Sequence, residues 1–250
     1  MSEIEVPEDH PRYASLLTRH RIEQGVKKGI TSLQGLIAEG RGEAYDYLLG
    51  EQTLPSADAA ARAAAAHLLL ADHAVLSVNG NVAALVPGEI VELAEATGAD
   101  IEVNLFNRTP ERMQAIADHL TEHGAAEVKG LTADARIPGL GHERGKVDAD
   151  GIYDADVVLV PLEDGDRAEA LGAMGKTEIV VDLNPKSRSP QMAAVPVIDN
   201  VMRAIPNITR HARDIQDASR DELEAIVAAF DREAALDAAE QAIRTGIDRE

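Results

Sequence analysis

Apolar residues gather in short continuous runs separated by stretches of helical periodicity. Runs at 74–78, 101–105, 157–160, 179–182 and 195–198 are rich in valine, isoleucine and leucine, which predicts five strands. Between them, 87–97 and 109–123 repeat their apolar positions at helical spacing, the second with Thr109 as N-cap and Pro110 at the first helical position. Strands alternating with helices predict a doubly wound, mainly parallel α/β sheet. Ahead of it, 11–28 reads as a helix carrying Leu16, Leu17, Ile22 and Val26. A glycine-punctuated stretch at 35–43 and a short amphipathic turn through Leu49 follow, and Pro55 and Ser56 open an alanine-rich helix to about Ala71. Segment 136–149, with three glycines and charges of both signs, is expected to be a long surface loop. Ser219 and Glu222 form a capping box for a terminal helix bearing Leu223, Ile226, Val227 and Phe230, packed on the sheet or on a partner subunit. The pattern divides one α/β domain, 1–250, into an N-terminal helical segment (1–72), a core (73–208) and a C-terminal helical segment (209–250).

Composition narrows the class. No basic flank, apolar stretch and cleavage site combine at the start, and the apolar region 63–78 is broken by His67, Asp72 and His73, so a cytoplasmic protein outside the membrane is expected. The absence of cysteine removes thiolate metal sites and cysteine nucleophiles. A net charge of -20, with acids dispersed along the chain, argues against nucleic acid as a partner. Six lysines against eighteen arginines and 2% aromatics suit a halophilic surface, kept soluble at high salt by hydrated carboxylates.

Candidate chemistry lies where predicted strands end. Gly172-Ala-Met-Gly175-Lys176-Thr177 resembles the tail of a phosphate-binding loop, but its glycines are three apart and it precedes a strand, so only Lys176 is kept, as an anion contact. Asn79-Gly80-Asn81 follows the first strand where a dinucleotide fold places a glycine-rich turn; it is either a strand-ending turn or a pair of polar ligand contacts. His119 and His123 have a zinc-compatible spacing, but no third ligand is apparent and a solvated helix end explains them better. Glu163, Asp164 and Asp166 follow the strand at 157–160 and can hold a cation or cap the next helix. Asp182-Leu183-Asn184-Pro-Lys186-Ser187-Arg188 offers a carboxylate, an amide, a hydroxyl and two cations, the set a nucleotide needs. Asp199 and Asn200 end a further strand, and Arg19 and Arg41, the latter between Gly40 and Gly42, supply cations upstream.

Taken in order, His10-Pro-Arg-Tyr13, Gly35-Leu-Ile-Ala38, Gly40-Arg-Gly-Glu43, Ser77-Val-Asn-Gly-Asn81, Asn104-Leu-Phe106, Gly151-Ile-Tyr153, Val160-Pro-Leu-Glu-Asp-Gly-Asp-Arg167, Asp182-Leu-Asn-Pro185 and Asp199-Asn200 resemble one family over nearly the whole chain. It is the archaeal 4-phosphopantoate–beta-alanine ligases, or phosphopantothenate synthetases. The resemblance implies a homodimeric ligase with a Rossmann-like core. Such an enzyme joins 4-phosphopantoate to beta-alanine in coenzyme A biosynthesis, consuming ATP with Mg2+ and releasing AMP and diphosphate. It implies ATP contacts at Arg19, Arg41, Asp182, Leu183, Asn184, Arg188, Ser189, Asp199, Asn200 and Val201. Asn79, Asn81, Asn104, Arg108 and Lys176 are then candidates for the substrate side, and Glu163, Asp164 or Asp166 for accepting the amine's proton. Metal ligands stay open. Glu39 replaces a common histidine, Asn107 a common aromatic and Lys186 a common leucine. A nicotinamide-dependent oxidoreductase and a non-catalytic nucleotide-binding protein are the competing readings.

Overall fold

The computed structural model describes residues 7, 9, 10, 12–162 and 164–246. Three helices open the chain, α1 (Tyr13–Lys27), α2 (Leu33–Leu49) and α3 (Pro55–Leu70), and lead into β1 (Ala74–Val78). Helices α4 (Gly80–Leu85) and α5 (Pro87–Thr97), strand β2 (Asp100–Val103) and helix α6 (Pro110–Glu122) follow. A two-stranded antiparallel ribbon, β3 (Ala135–Arg136) and β4 (Lys146–Val147), precedes β5 (Val157–Pro161), α7 (Gly165–Ala173), β6 (Thr177–Asp182), α8 (Arg188–Met192) and β7 (Val195–Ile198). The last helices are α9 (Val201–Ile215), α10 (Arg220–Ala229) and α11 (Arg232–Thr245).

Strands β2, β1, β5, β6 and β7 form one sheet in that order, and every neighbouring pair is parallel. The sheet explains the continuous apolar runs, because both of its faces are covered. Leu76, Leu159, Ile179 and Val181 enter the core shared with α3, α5 and α9, while alternate residues Val75, Val158 and Val160 pack with Ile137, Leu140 and Val147. The segment expected to be a surface loop is therefore a cover for one face of the sheet. From β1 the chain moves outward to β2 and then returns to β5 on the other side. This reversal opens a crevice at the carboxyl ends of β1 and β5, where ligands bind in open α/β sheets.

Three further expectations change. The stretch 35–43 and the turn after it are one unbroken helix, α2, although each internal glycine costs a helix about 1 kcal/mol relative to alanine. Buried Gly35 sits where the side chains of Thr31 and Asn81 cross, which requires a residue without Cβ. Helix α9, hidden in the sequence by Pro206, stands where no helix was expected and buries Ala204, Ile205, Ile208 and Ala212 in the core. The terminal helix is two helices: the Ser219 capping box starts α10, and the Asp231 side chain accepts the Ala234 N–H to start α11. Among the described residues no helix is long and apolar enough to cross a membrane.

Candidate active site

The carboxyl edge of the sheet gathers most of the predicted polar residues. After β1, the Asn79 side chain accepts the N–H groups of Asn81 and Val82 and so caps α4, while its Nδ2 donates to the Pro161 carbonyl at 3.0 Å. The turn after β1 is thus a helix cap that also ties β1 to the end of β5. No glycine-rich dinucleotide turn is formed there.

At the end of β5, Leu162 adopts a left-handed backbone conformation, φ +59°. Glu163 lies outside the described residues. Asp164 accepts from Arg144 Nη1 at 2.9 Å, and Asp166 pairs with Arg188 at 2.5 Å. Wholly buried Arg167 donates to Ser77 Oγ at 3.0 Å. Gly165 has a steric role: a Cβ there would lie 2.7 Å from that of Arg188, so only glycine lets Arg188 cross the start of α7.

At the end of β6, Asp182 Oδ1 accepts the N–H groups of Leu183 and Asn184 at 2.6 and 3.0 Å, and Asn184 Oδ1 accepts that of Lys186 at 3.0 Å. These overlapping side-chain turns are the local reason the strand stops here. Burial raises the Asp182 carboxyl above the ordinary aspartate range, against the pull of those amides and of Arg41. Arg41, Leu162, Asp164, Gly165, Asp182, Ser187, Arg188 and Ser189 line one cavity of about 380 Å³.

The end of β7 is built differently. Asp199 is 1% exposed; it accepts from Thr53 Oγ1 at 2.6 Å, from its neighbour Asn200 N at 2.7 Å and from Arg203 at 2.7 Å. Arg203 also meets Asp46 of α2 at 2.7 Å, and Asn200 donates to the same Asp46 at 3.1 Å. Asn200 caps α9 through the Met202 N–H, and Val201 begins that helix. A second cavity, about 310 Å³, includes Arg19, Glu39, Glu43, Asp46, Tyr47 and Asn200 in its lining. Arg19 forks onto Glu43. The Glu39 carboxyl is pushed up to about 7 by burial, with Asp46 and Glu43 adding repulsion. Helix α2 separates the cavities, with Gly40 on one and Arg41 on the other.

Not every candidate joins this assembly. Asn81 is buried between Thr31 and the Gly35 carbonyl, and Asn104 between the carbonyls of Arg144 and Lys146. Arg108 donates to the Gly130 carbonyl at 2.5 Å. Lys176 precedes β6, so it sits at the amino edge of the sheet, donating to the carbonyls of Tyr153 and Ala155. Lys186 pairs with Glu240 of α11. His119 is 8% exposed and packs edge-on against His123, so it is part of the fold rather than of a solvated helix end. Among the described residues no group of three or more His, Asp or Glu comes together to hold a metal. Sequence reading missed Arg144, Arg203, Asp46 and Thr53. Their partners lie far away in the chain, and nothing local marks them.

Fold and edge together define a Rossmann-like α/β enzyme whose strand ends open onto a polar, cation-bearing cavity. The phosphopantothenate/pantothenate synthetase family model matches residues 56–246, and the chain belongs to that family. It is 56% identical to a 4-phosphopantoate–beta-alanine ligase of Thermococcus kodakarensis over 91% of this chain and 88% of that one. Its identity to the ligase of the same name from Methanosarcina mazei is 53%, over 93% and 91%. With that of Methanospirillum hungatei it is 57%, over 84% and 86%. The chain is accordingly a ligase.

Proposed function

We propose that this enzyme joins 4-phosphopantoate to beta-alanine, consuming ATP and releasing AMP and diphosphate, as a step of coenzyme A biosynthesis. The observation that carries the reading is the single cavity shared by Arg41, Asp164, Asp182, Arg188 and Ser189, which come from separate stretches of the sequence and meet at the sheet's carboxyl edge. A carboxylate is a poor acyl donor because its oxygen is a poor leaving group. Attack of that oxygen on the α-phosphorus of ATP expels diphosphate and leaves an acyl adenylate, whose carbonyl the amine then attacks with loss of AMP. The protein's share of this chemistry is to hold two polyanions together, which favours arginine clamps. Arg41 and Arg188, both in the cavity wall, would hold phosphates. Asp182, in the same wall, would contact the ribose or base.

Arg19 and Asn200 line the neighbouring cavity, so ATP would reach across α2 to contact both sets. The amine must lose a proton before it attacks. Asp164 lines the phosphate cavity directly, Asp166 is tied to Arg188, and Glu163 remains a candidate from its sequence position. Mg2+ bound through phosphates needs only one or two protein carboxylates, a demand that Asp164 and Asp182 fit; it would supply charge neutralisation on the phosphates. A homodimer is supported by Leu33, Ile37, Tyr47 and Leu48, which lie exposed along one side of α2. Incubating purified protein with ATP, Mg2+, 4-phosphopantoate and beta-alanine should release AMP; ADP in its place would overturn the adenylate route. Light scattering should give twice the mass of one chain, and a monomer would remove the dimer.

A further inference from the structure

We propose that Arg144 is a positioning residue for the reaction, holding the end of β5 in the left-handed turn that delivers Asp164 and Gly165 to the phosphate cavity. The inference rests on the reading of that cavity given above. Arg144 belongs to the segment that covers one face of the sheet and is only 5% exposed. Its Nε donates to Asn104 Oδ1 at 3.3 Å, while Asn104 Nδ2 returns a bond to the Arg144 carbonyl at 3.1 Å. Its Nη1 reaches Asp164 Oδ2 at 2.9 Å and the Leu162 carbonyl at 3.5 Å. One guanidinium therefore joins the residue that follows β2 to those that follow β5, across the crevice where the strand order reverses.

Leu162 shows why such a tie is needed. A side chain with Cβ is strained at positive φ, and such a conformation persists only where its surroundings over-determine it. Three bonds do so here. The Pro161 carbonyl accepts from Asn79, the Leu162 N–H donates to the Val181 carbonyl at 2.9 Å, and the Leu162 carbonyl faces Arg144. The first two anchor the turn to β1 and β6; the third connects it to Asp164. Only arginine offers several donors in one rigid plane, so a lysine can satisfy part of this arrangement and not all of it.

The test compares Arg144→Met, Arg144→Lys and Leu162→Gly with the wild type. Small displacements of reacting groups are costly, so Arg144→Met should lower kcat about 10- to 100-fold. KM for ATP should rise by less than kcat falls, because Arg41 and Arg188 come from other elements. Arg144→Lys should recover part of the loss. Leu162→Gly relieves the strain and so should keep or raise Tm, yet it frees the turn and should also lower kcat. Full kcat in Leu162→Gly or Arg144→Met, or a loss confined to Tm and to KM for ATP, would overturn the proposal. Should Arg144→Met fail to fold, the other two variants decide. Hydrogen exchange at the amides of Leu162 and Ala168, which donate to the Val181 and Asp164 carbonyls, gives a readout independent of turnover. Exchange should accelerate about tenfold or more in Arg144→Lys, and unchanged protection would count against the role. A wild type that makes no AMP would sink the proposed reaction and leave this exchange test standing.

Discussion

The ends of β6 and β7 look alike in sequence and are used in opposite ways. Each ends in an aspartate with an asparagine one or two residues on, Asp182 with Asn184 and Asp199 with Asn200. At β7 the chain supplies its own donors: Thr53, Arg203 and a backbone amide close around Asp199, and Asp46 takes the Asn200 amide. At β6 the following amides satisfy one oxygen of Asp182, and the residue remains in the wall of a cavity beside Arg41 and Arg188. Asp199 is thus held in a clamp while Asp182 stays in a cavity wall, and Asn200 beside the clamp still lines the second cavity. Which role such an aspartate takes depends on whether distant parts of the chain bring matching groups.

Breaking the clamp should have the largest effect. Asp199→Ala leaves Thr53 and the Asn200 amide without their buried acceptor and Arg203 with Asp46 as its remaining carboxylate, a loss of about 2–3 kcal/mol. Calorimetry should show Tm lower by roughly 10 °C. A variant melting within a degree or two of wild type would mean that β7 ends in a binding wall after all.

Another closed strand end, at β2, tests the same idea through pH. Buried Glu102 accepts the N–H groups of Asp148 and Ile152 at 3.1 and 2.6 Å, and burial pushes its carboxyl from 4.5 up to about 7. Between these values the unfolded chain releases a proton that the folded chain keeps. The stabilisation is therefore whole below about pH 4.5, declines by about 3 kcal/mol as pH rises to 7, and is flat above. Glu39 acts in the same direction. Glu102→Gln should flatten the fall in Tm between pH 5 and 7.5; an unchanged slope would show that Glu102 ionises freely in the fold.

The open end should respond in activity instead. Arg188 is 61% exposed, so Arg188→Ala should leave Tm nearly unchanged, while losing a charge-assisted phosphate contact lowers kcat/KM for ATP roughly 30- to 100-fold. Unaltered kinetics would move the phosphates elsewhere. The smallest effect belongs to Lys186→Leu. This lysine turns to Glu240 at the surface, and such pairs contribute under about 1 kcal/mol, so both Tm and KM for ATP should barely move.

The sequence made the five strands and their parallel sheet legible, though not their order, because each strand is buried on both faces and so writes itself as an unbroken apolar run. That Asp182 and Arg188 share one polar edge was legible too, since both follow one strand end closely in sequence. Helix α2 was obscured by glycines that its close packing requires, and α9 by Pro206. Asn104 and Arg144 show the deeper limit. Their pairing joins residues forty positions apart, and no local pattern distinguishes an asparagine that meets a ligand from one that meets a buried arginine.

Tyr45 and Leu49 of α2 rest on Leu236 and Ala239 of α11, in the small core that also holds Ile198. During synthesis α2 leaves the ribosome early, whereas the residues that cushion it are made far later. The wall carrying Arg41 can therefore settle only after α11 has been translated, and until then the side of α2 bearing Tyr45 and Leu49 lacks its mature partner.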